Sequence, residues 1–155
     1  MRRLALALAC GDRPIIIEGP AGCGKTSIAK HVARLLGYED VVAVHVDDQM
    51  DGKSLIGSYV CTDTPGEFKW QPGALSIAVM TGKLVLLEDI DKAPPDVLAT
   101  LIPLLENRKL PGKNLQHATA HNSFKFIATR CIRPSASGAP KRVPPIVQAV
   151  RVLQP

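Results

Sequence analysis

The sequence predicts an α/β protein: a parallel sheet covered by helices on both faces. Three observations lead there. Short, wholly apolar, β-branched runs such as Ile15, Ile16 and Ile17 read as strands buried on both faces, the kind found in parallel sheets. Between residues 15 and 129 such runs alternate with stretches of helical period, the pattern of βαβ units. The chain has 155 residues and is 46% hydrophobic, enough for one globular core, filled by aliphatic side chains because aromatics make up only 4%.

The elements follow in order. Met1 to Cys10 is two arginines and then LALALAC. This run is shorter than the apolar region of a signal peptide and is followed at once by polar Gly11-Asp12-Arg13, so it reads as a short helix packed on the core. Ile15 to Ile17 is the first strand. Lys25 to Leu36 reads as a helix, with Ile28, Val32 and Leu36 on one stripe beside Ala29 and Ala33, and with Gly37 as its stop. Val41 to Val46 reads as a second buried strand, ended by Asp47-Asp48, and Gly52 to Gly57 as a short helical turn. Turn formers Thr62 to Gly66 between β-prone flanks make Tyr59 to Trp70 a hairpin. Gly73 opens a helix to about Thr81, and Leu84 to Leu87 is a third buried strand. Pro94-Pro95 starts a helix to about Leu105 that buries Val97, Leu101 and Leu105, with Pro103 expected to kink or weaken its last turn. Asn107 to Ser123 reads as loop with room for a second hairpin, and Phe124 to Thr129 as a fourth strand. Residues 1–131 are therefore expected to form the core, and 132–155 a Pro-rich tail, loose from Arg133 to Pro145, with one further strand or short helix within Val143 to Leu153.

Charge and cysteines narrow the chemistry. Nineteen Lys+Arg against fourteen Asp+Glu give a net charge of +5, scattered along the chain, which reads as a solvated surface with no nucleic-acid motif. Cys10, Cys23, Cys61 and Cys131 form no CxxC pair, so they are expected to be free thiols and not zinc ligands. His31 and His45 read as structural, His117 and His121 as loop residues. No run is long enough to span a membrane.

One segment carries a specific chemistry. Gly19-Pro20-Ala21-Gly22-Cys23-Gly24-Lys25-Thr26 fits G-x-x-x-x-G-K-[ST] in full. At average composition such a match arises by accident in about 0.5% of chains of this length, which makes it specific. Its glycines let backbone N–H groups turn inward, and with the positive end of the following helix these hold phosphates. Lys25 adds a point charge for the β- and γ-phosphates, the Thr26 hydroxyl is a Mg²⁺ ligand, and Ser27 completes the nucleotide-binding stretch. The cofactors implied are ATP and Mg²⁺.

Such a loop needs an acid that holds Mg²⁺ through water. It is expected at the end of a buried strand beside the first one, and Leu84-Val85-Leu86-Leu87-Glu88-Asp89 supplies it. Glu88 is assigned to the metal side, and Asp89 to orienting or deprotonating the attacking water. Asp91 is read as a local capping or loop acid without a catalytic role.

With these residues in place, the chain resembles the AAA+ family of ATPases over about residues 4 to 131, in its dynein-related and MoxR-like branch. The resemblance is carried by EGPAGCGKTS (Glu18 to Ser27), CTDTPGEFKWQPGAL (Cys61 to Leu75) and LLEDIDKAPPDVLATLIPLLENRKL (Leu86 to Leu110). The GEFKWQPG stretch is similar to a hairpin insert shared within that branch and is the most specific of the three. The last segment is similar to the first AAA+ module of giant multi-module ribosome-assembly ATPases. The resemblance implies a P-loop NTPase (AAA+) sheet with a hairpin insert and no complete helical lid, one partial module of a longer chain. It implies ATPase activity, neighbouring AAA+ modules in a ring, preribosomal large-subunit particles and assembly factors as partners, and a nuclear location.

Two departures bear on hydrolysis. The family usually ends the acidic strand in Asp then Glu, whereas Glu88 then Asp89 leaves the base one methylene shorter, and a misplacement of about 1 Å can cost on the order of 10²-fold in rate. The family places a polar residue, usually Asn, after the fourth strand; here that position is Cys131, a poor hydrogen-bonding group, with Arg130 beside it as a substitute. Alternative readings are a nucleotide-holding module with little or no hydrolysis, a MoxR-type chaperone, a P-loop nucleotide kinase, and an interaction piece that docks on a preribosome through its basic surface.

Overall fold

A computed structural model describes residues 2–11, 13–64, 66–111, 117–132 and 151–153. Its central sheet is five-stranded and parallel. In chain order the strands are β1 (Ile15–Gly19), β2 (Val41–His45), the hairpin pair β3 (Gly57–Cys61) and β4 (Phe68–Pro72), β5 (Leu84–Glu88), the short pair β6 (Lys109–Pro111) and β7 (His117–Thr119), β8 (Lys125–Cys131) and β9 (Arg151–Leu153). The sheet runs β2-β5-β8-β1-β9, while β3-β4 and β6-β7 are separate antiparallel pairs. The helices are α1 (Arg2–Cys10), α2 (Lys25–Leu35), α3 (Gly52–Ile56), α4 (Ala74–Thr81) and α5 (Pro95–Asn107), with a 3₁₀ turn at Ile90–Lys92.

Strand alternation builds two apolar layers. Ile15, Ile17, Leu84, Leu86 and Ile127 face α1 and α2, meeting Leu4, Leu8, Ala29, Val32 and Ala33. Ile16, Val85, Leu87, Phe126 and Ala128 face α3, α4 and α5, meeting Leu55, Leu75, Val79, Val97 and Leu101. Consecutive isoleucines of β1 thus serve opposite layers, which is why that run contains no polar residue until Glu18.

Most expected elements are present, and five expectations are corrected. The buried stripe of α2 is Ala29, Val32 and Ala33, while Leu36 lies beyond the helix end and is exposed. β2 is an edge strand with partly exposed side chains, not one buried on both faces, because it pairs only with β5. α5 runs through Pro103 to Asn107, two residues beyond the expected end near Leu105, with Leu101, Leu104 and Leu105 buried. The acidic strand β5 is not beside β1: β8 lies between them, with Ile15 paired to Ile127 and Leu84 to Lys125. His31 and His45 are both exposed and are not core histidines. Of the expected strand or helix within residues 143–153, Arg151–Leu153 is a strand paired with β1, and the remainder lies outside the described residues, as does the linker 133–145. Among the described residues no helix is long and apolar enough to cross a membrane.

Candidate nucleotide-binding site

The C-terminal ends of β1, β5 and β8 open into a cleft of about 670 Å³. Its first wall is the loop between β1 and α2: Pro20, Ala21, Gly22, Gly24, Lys25, Thr26 and Ser27 all line it. Gly22 (φ 76°) and Gly24 (φ 80°) hold left-handed backbone conformations that only glycine adopts without strain. Gly24 is also the N-cap of α2, so the first, unpaired N–H groups of that helix face the loop. Gly19 and Cys23, predicted with the others, lie outside the lining. Gly19 O accepts from Lys25 Nζ at 3.0 Å, and Cys23 Sγ lies 3.9 Å from the same nitrogen.

Lys25 is 8% exposed, and its ammonium also donates to Pro20 O at 2.7 Å. The loop's own carbonyls therefore satisfy the cation, which a phosphate can replace without leaving a bare buried charge.

The opposite wall is the end of β5. Glu88 and Asp89 both line the cleft, and so does Asp91, which the sequence reads as a capping or loop acid. Glu88 pairs with Lys30 of α2, Oε1 to Nζ 3.1 Å. Asp89 leaves the strand in a left-handed conformation (φ 59°), its N–H donating to Thr129 Oγ1 at 3.1 Å. Its carboxylate accepts from Lys92 Nζ at 2.8 Å, and chiefly this bond holds its pKa below the ordinary value, against a smaller opposing effect of burial. Asp91 Oδ1 accepts the Cys131 N–H at 3.1 Å, which clamps the 3₁₀ turn to the end of β8.

β8 forms the floor with Thr129, Cys131 and the following Ile132. Cys131 faces the cleft, at the position where the resembled family carries a polar residue. Arg130 cannot replace it: alternation sends its side chain to the other face of the sheet, where it pairs with Glu18 at 2.9 Å. Sequence reasoning missed Thr129, Lys92, Ile132 and His45 as cleft residues. The place of Thr129, two residues before Cys131 on an apolar strand, was the available signal for the first. His45 had only its place at the end of a strand, and its register beside Glu88 is visible only in the sheet.

The donor set suits Mg²⁺. A hydroxyl (Thr26) and carboxylates are hard oxygen ligands, and among the described residues no cluster of three or more His, Cys, Asp or Glu forms an all-protein cage. Mg²⁺ takes one or two protein oxygens and completes its shell with water and phosphate.

A family model described as AAA domain (dynein-related subfamily) matches residues 14–145. Midasin of Dictyostelium discoideum is 47% identical over 139 residues, 88% of this chain and 2% of that protein. Midasin of Giardia intestinalis is 29% identical over 133 residues, 86% of this chain and 3% of that protein. Protein NorQ of Paracoccus denitrificans is 36% identical over 104 residues, 67% of this chain and 37% of NorQ. A Cytophaga hutchinsonii crystal structure shares the fold, with a TM-score of 0.67 at 18% identity, over 98% of this chain and 44% of that one. The chain thus spans a small part of either midasin and just over a third of NorQ.

Proposed function

This chain belongs to the dynein-related subfamily of AAA domains, and we propose that it is an ATP-binding module that hydrolyses ATP with Mg²⁺. One observation carries the reading: a phosphate loop with two left-handed glycines and a buried lysine faces Glu88 and Asp89 across a single cleft. The loop N–H groups and the N-terminus of α2 hold the phosphates. Lys25 leaves the Gly19 and Pro20 carbonyls for the β- and γ-phosphates, and the Thr26 hydroxyl, with Glu88 through water, would hold the metal. When bound, Mg²⁺ would supply charge neutralisation to the phosphates. Asp89 accepts the proton of the water that attacks the γ-phosphoryl group, and ADP departs. Thr129, through the Asp89 N–H, fixes where that carboxylate starts.

A second reading, a nucleotide-holding module with little turnover, is favoured by particular features. Glu88 and Asp89 are both engaged by lysines, at 3.1 and 2.8 Å, and Cys131 offers the cleft only a weak hydrogen-bonding group.

The wider role follows the resemblance. We infer that the module works with neighbouring AAA+ modules in a ring, in the nucleus, remodelling precursors of the large ribosomal subunit for maturation and export. The 47% identity to Dictyostelium midasin supports this, as do the hairpin and acidic-strand motifs. A MoxR-type chaperone would use the same cleft on a different client.

The test is a titration of a fluorescent ATP analogue with Mg²⁺ into the purified chain and into Lys25→Ala, followed by phosphate release. Binding that needs Lys25, with steady release, supports the ATPase reading. Binding without release supports the holding module. Folded protein that binds no nucleotide overturns both.

A further inference from the structure

We propose that Lys30 sets the metal requirement of this cleft by holding Glu88 from behind it, which favours nucleotide held without Mg²⁺ over nucleotide held with it. The inference rests on the ATP–Mg²⁺ reading above. Lys30 sits one helical turn after Thr26 on α2, on the face turned to the end of β5, and its Nζ lies 3.1 Å from Glu88 Oε1. Glu88 lines the cleft and Lys30 does not, so the cation engages one oxygen of a carboxylate that still borders the cleft. A second cation, Lys92, holds Asp89 at 2.8 Å, so both acids at this end of the sheet carry a lysine partner.

The consequence has a definite sign. Binding a nucleotide alone leaves the Lys30–Glu88 pair undisturbed. Using Glu88 on a cation shares its charge between that cation and Lys30, and the two cations repel each other. Lys30 therefore penalises only the metal-loaded state. With the two side chains 39% and 23% exposed, the penalty is that of a partly solvated ion pair, on the order of two- to fivefold in metal concentration.

The experiment measures binding, not turnover. Affinity for a fluorescent ATP analogue is followed as Mg²⁺ is raised from an EDTA baseline, which gives the Mg²⁺ midpoint. Lys30→Gln is expected to lower that midpoint two- to fivefold, and Lys30→Arg, which keeps the cation, to leave it near that of the parent. Lys83→Gln removes a lysine from the far end of β5, where it pairs with Asp40, and is expected to change nothing. In a Glu88→Gln background, Lys30→Gln should have no further effect, which separates a contact with Glu88 from a general change in surface charge. An unchanged or raised midpoint in Lys30→Gln, with nucleotide binding intact, overturns this inference alone. So does an equal shift in the Glu88→Gln background. A folded chain that binds the analogue neither with Mg²⁺ nor in EDTA overturns the ATP reading and this inference with it.

Discussion

Replacing Gly24 by alanine tests whether backbone conformation, and not packing, makes the phosphate loop. The residue sits at φ 80°, ψ 18°, and a Cβ built there meets nothing within 4 Å. The steric cost against neighbours is therefore nil, and the whole effect is the strain of an L-residue in the left-handed region, about 1–2 kcal/mol. Alanine also restricts the unfolded chain, which returns about 0.4–1 kcal/mol. The net cost is about 1 kcal/mol, and it must appear in one of two places. If the loop keeps its shape, stability falls by that amount, moving a urea midpoint down by about 0.3–1 M. If the loop relaxes, nucleotide must restore it on binding, and the dissociation constant for the ATP analogue rises about fivefold. The two losses together should sum to about 1 kcal/mol. Gly11→Ala is the contrast: its Cβ would lie 2.8 Å from Ala7 O, without positive φ, so it should cost stability and leave affinity alone. A Gly24→Ala protein with both midpoint and affinity unchanged refutes the claim that this conformation is what binds phosphate.

Two further outcomes are expected. Glu18→Gln removes one partner of a 2.9 Å ion pair whose side chains are only 17% and 12% exposed, and leaves Arg130 without its counter-charge. The loss should be about 2–3 kcal/mol in urea unfolding, somewhat under that of a wholly buried pair, whereas Lys83→Gln, at an exposed pair, should stay within about 0.5 kcal/mol. Asp89 has a folded pKa held below its ordinary 3.8, chiefly by the hydrogen bond from Lys92. The unfolded chain then binds a proton there before the folded one does. The stabilisation is accordingly complete above about pH 5 and is lost as pH falls through 3.8 toward the folded value. Asp89→Asn should flatten that part of the acid limb of a stability–pH curve, and an unchanged limb would show that the Lys92 contact stores no such energy.

The sequence was most informative where a single local constraint decides the outcome. Ile15, Ile16 and Ile17 have no face to give to water, so a buried strand was the only use for them. Gly22, Gly24, Lys25 and Thr26 sit at spacings that one loop conformation requires. The hairpin was legible because turn formers separate β-prone flanks, and Tyr59 does pair with Trp70, their rings 5.1 Å apart. What the sequence concealed was lateral order. Nothing in Leu84 to Leu87 says which strand will lie beside it, because a wholly apolar strand is suited to any interior place in the sheet. Hydropathy also mistook β2, whose valines look the same on an edge as in the centre. Lys30 and Thr129 escaped notice for a related reason: their partners, Glu88 and Asp89, are distant in sequence and meet them only through the sheet order.

That lateral order is what makes the cleft workable. Neighbouring strands lie about 4.8 Å apart, so inserting β8 sets the acid strand about 10 Å from the strand that carries the phosphate loop. With β8 between, the gap has a floor, and the residues at the end of that strand are placed to control it. Thr129 holds the Asp89 N–H, and the Cys131 N–H holds Asp91. A single strand thus fixes two acids from beneath while lysines engage Glu88 and Asp89 from the side. The contact survives any substitution at Cys131 that keeps a backbone N–H, because that group and not the thiol makes the bond. Cys131→Asn should accordingly leave the Asp91 clamp intact while adding a strong hydrogen-bonding group to the cleft. If the holding reading is right because of Cys131, phosphate release should rise in that variant with nucleotide affinity little changed. If release stays low, the restraint lies with the lysine-held acids.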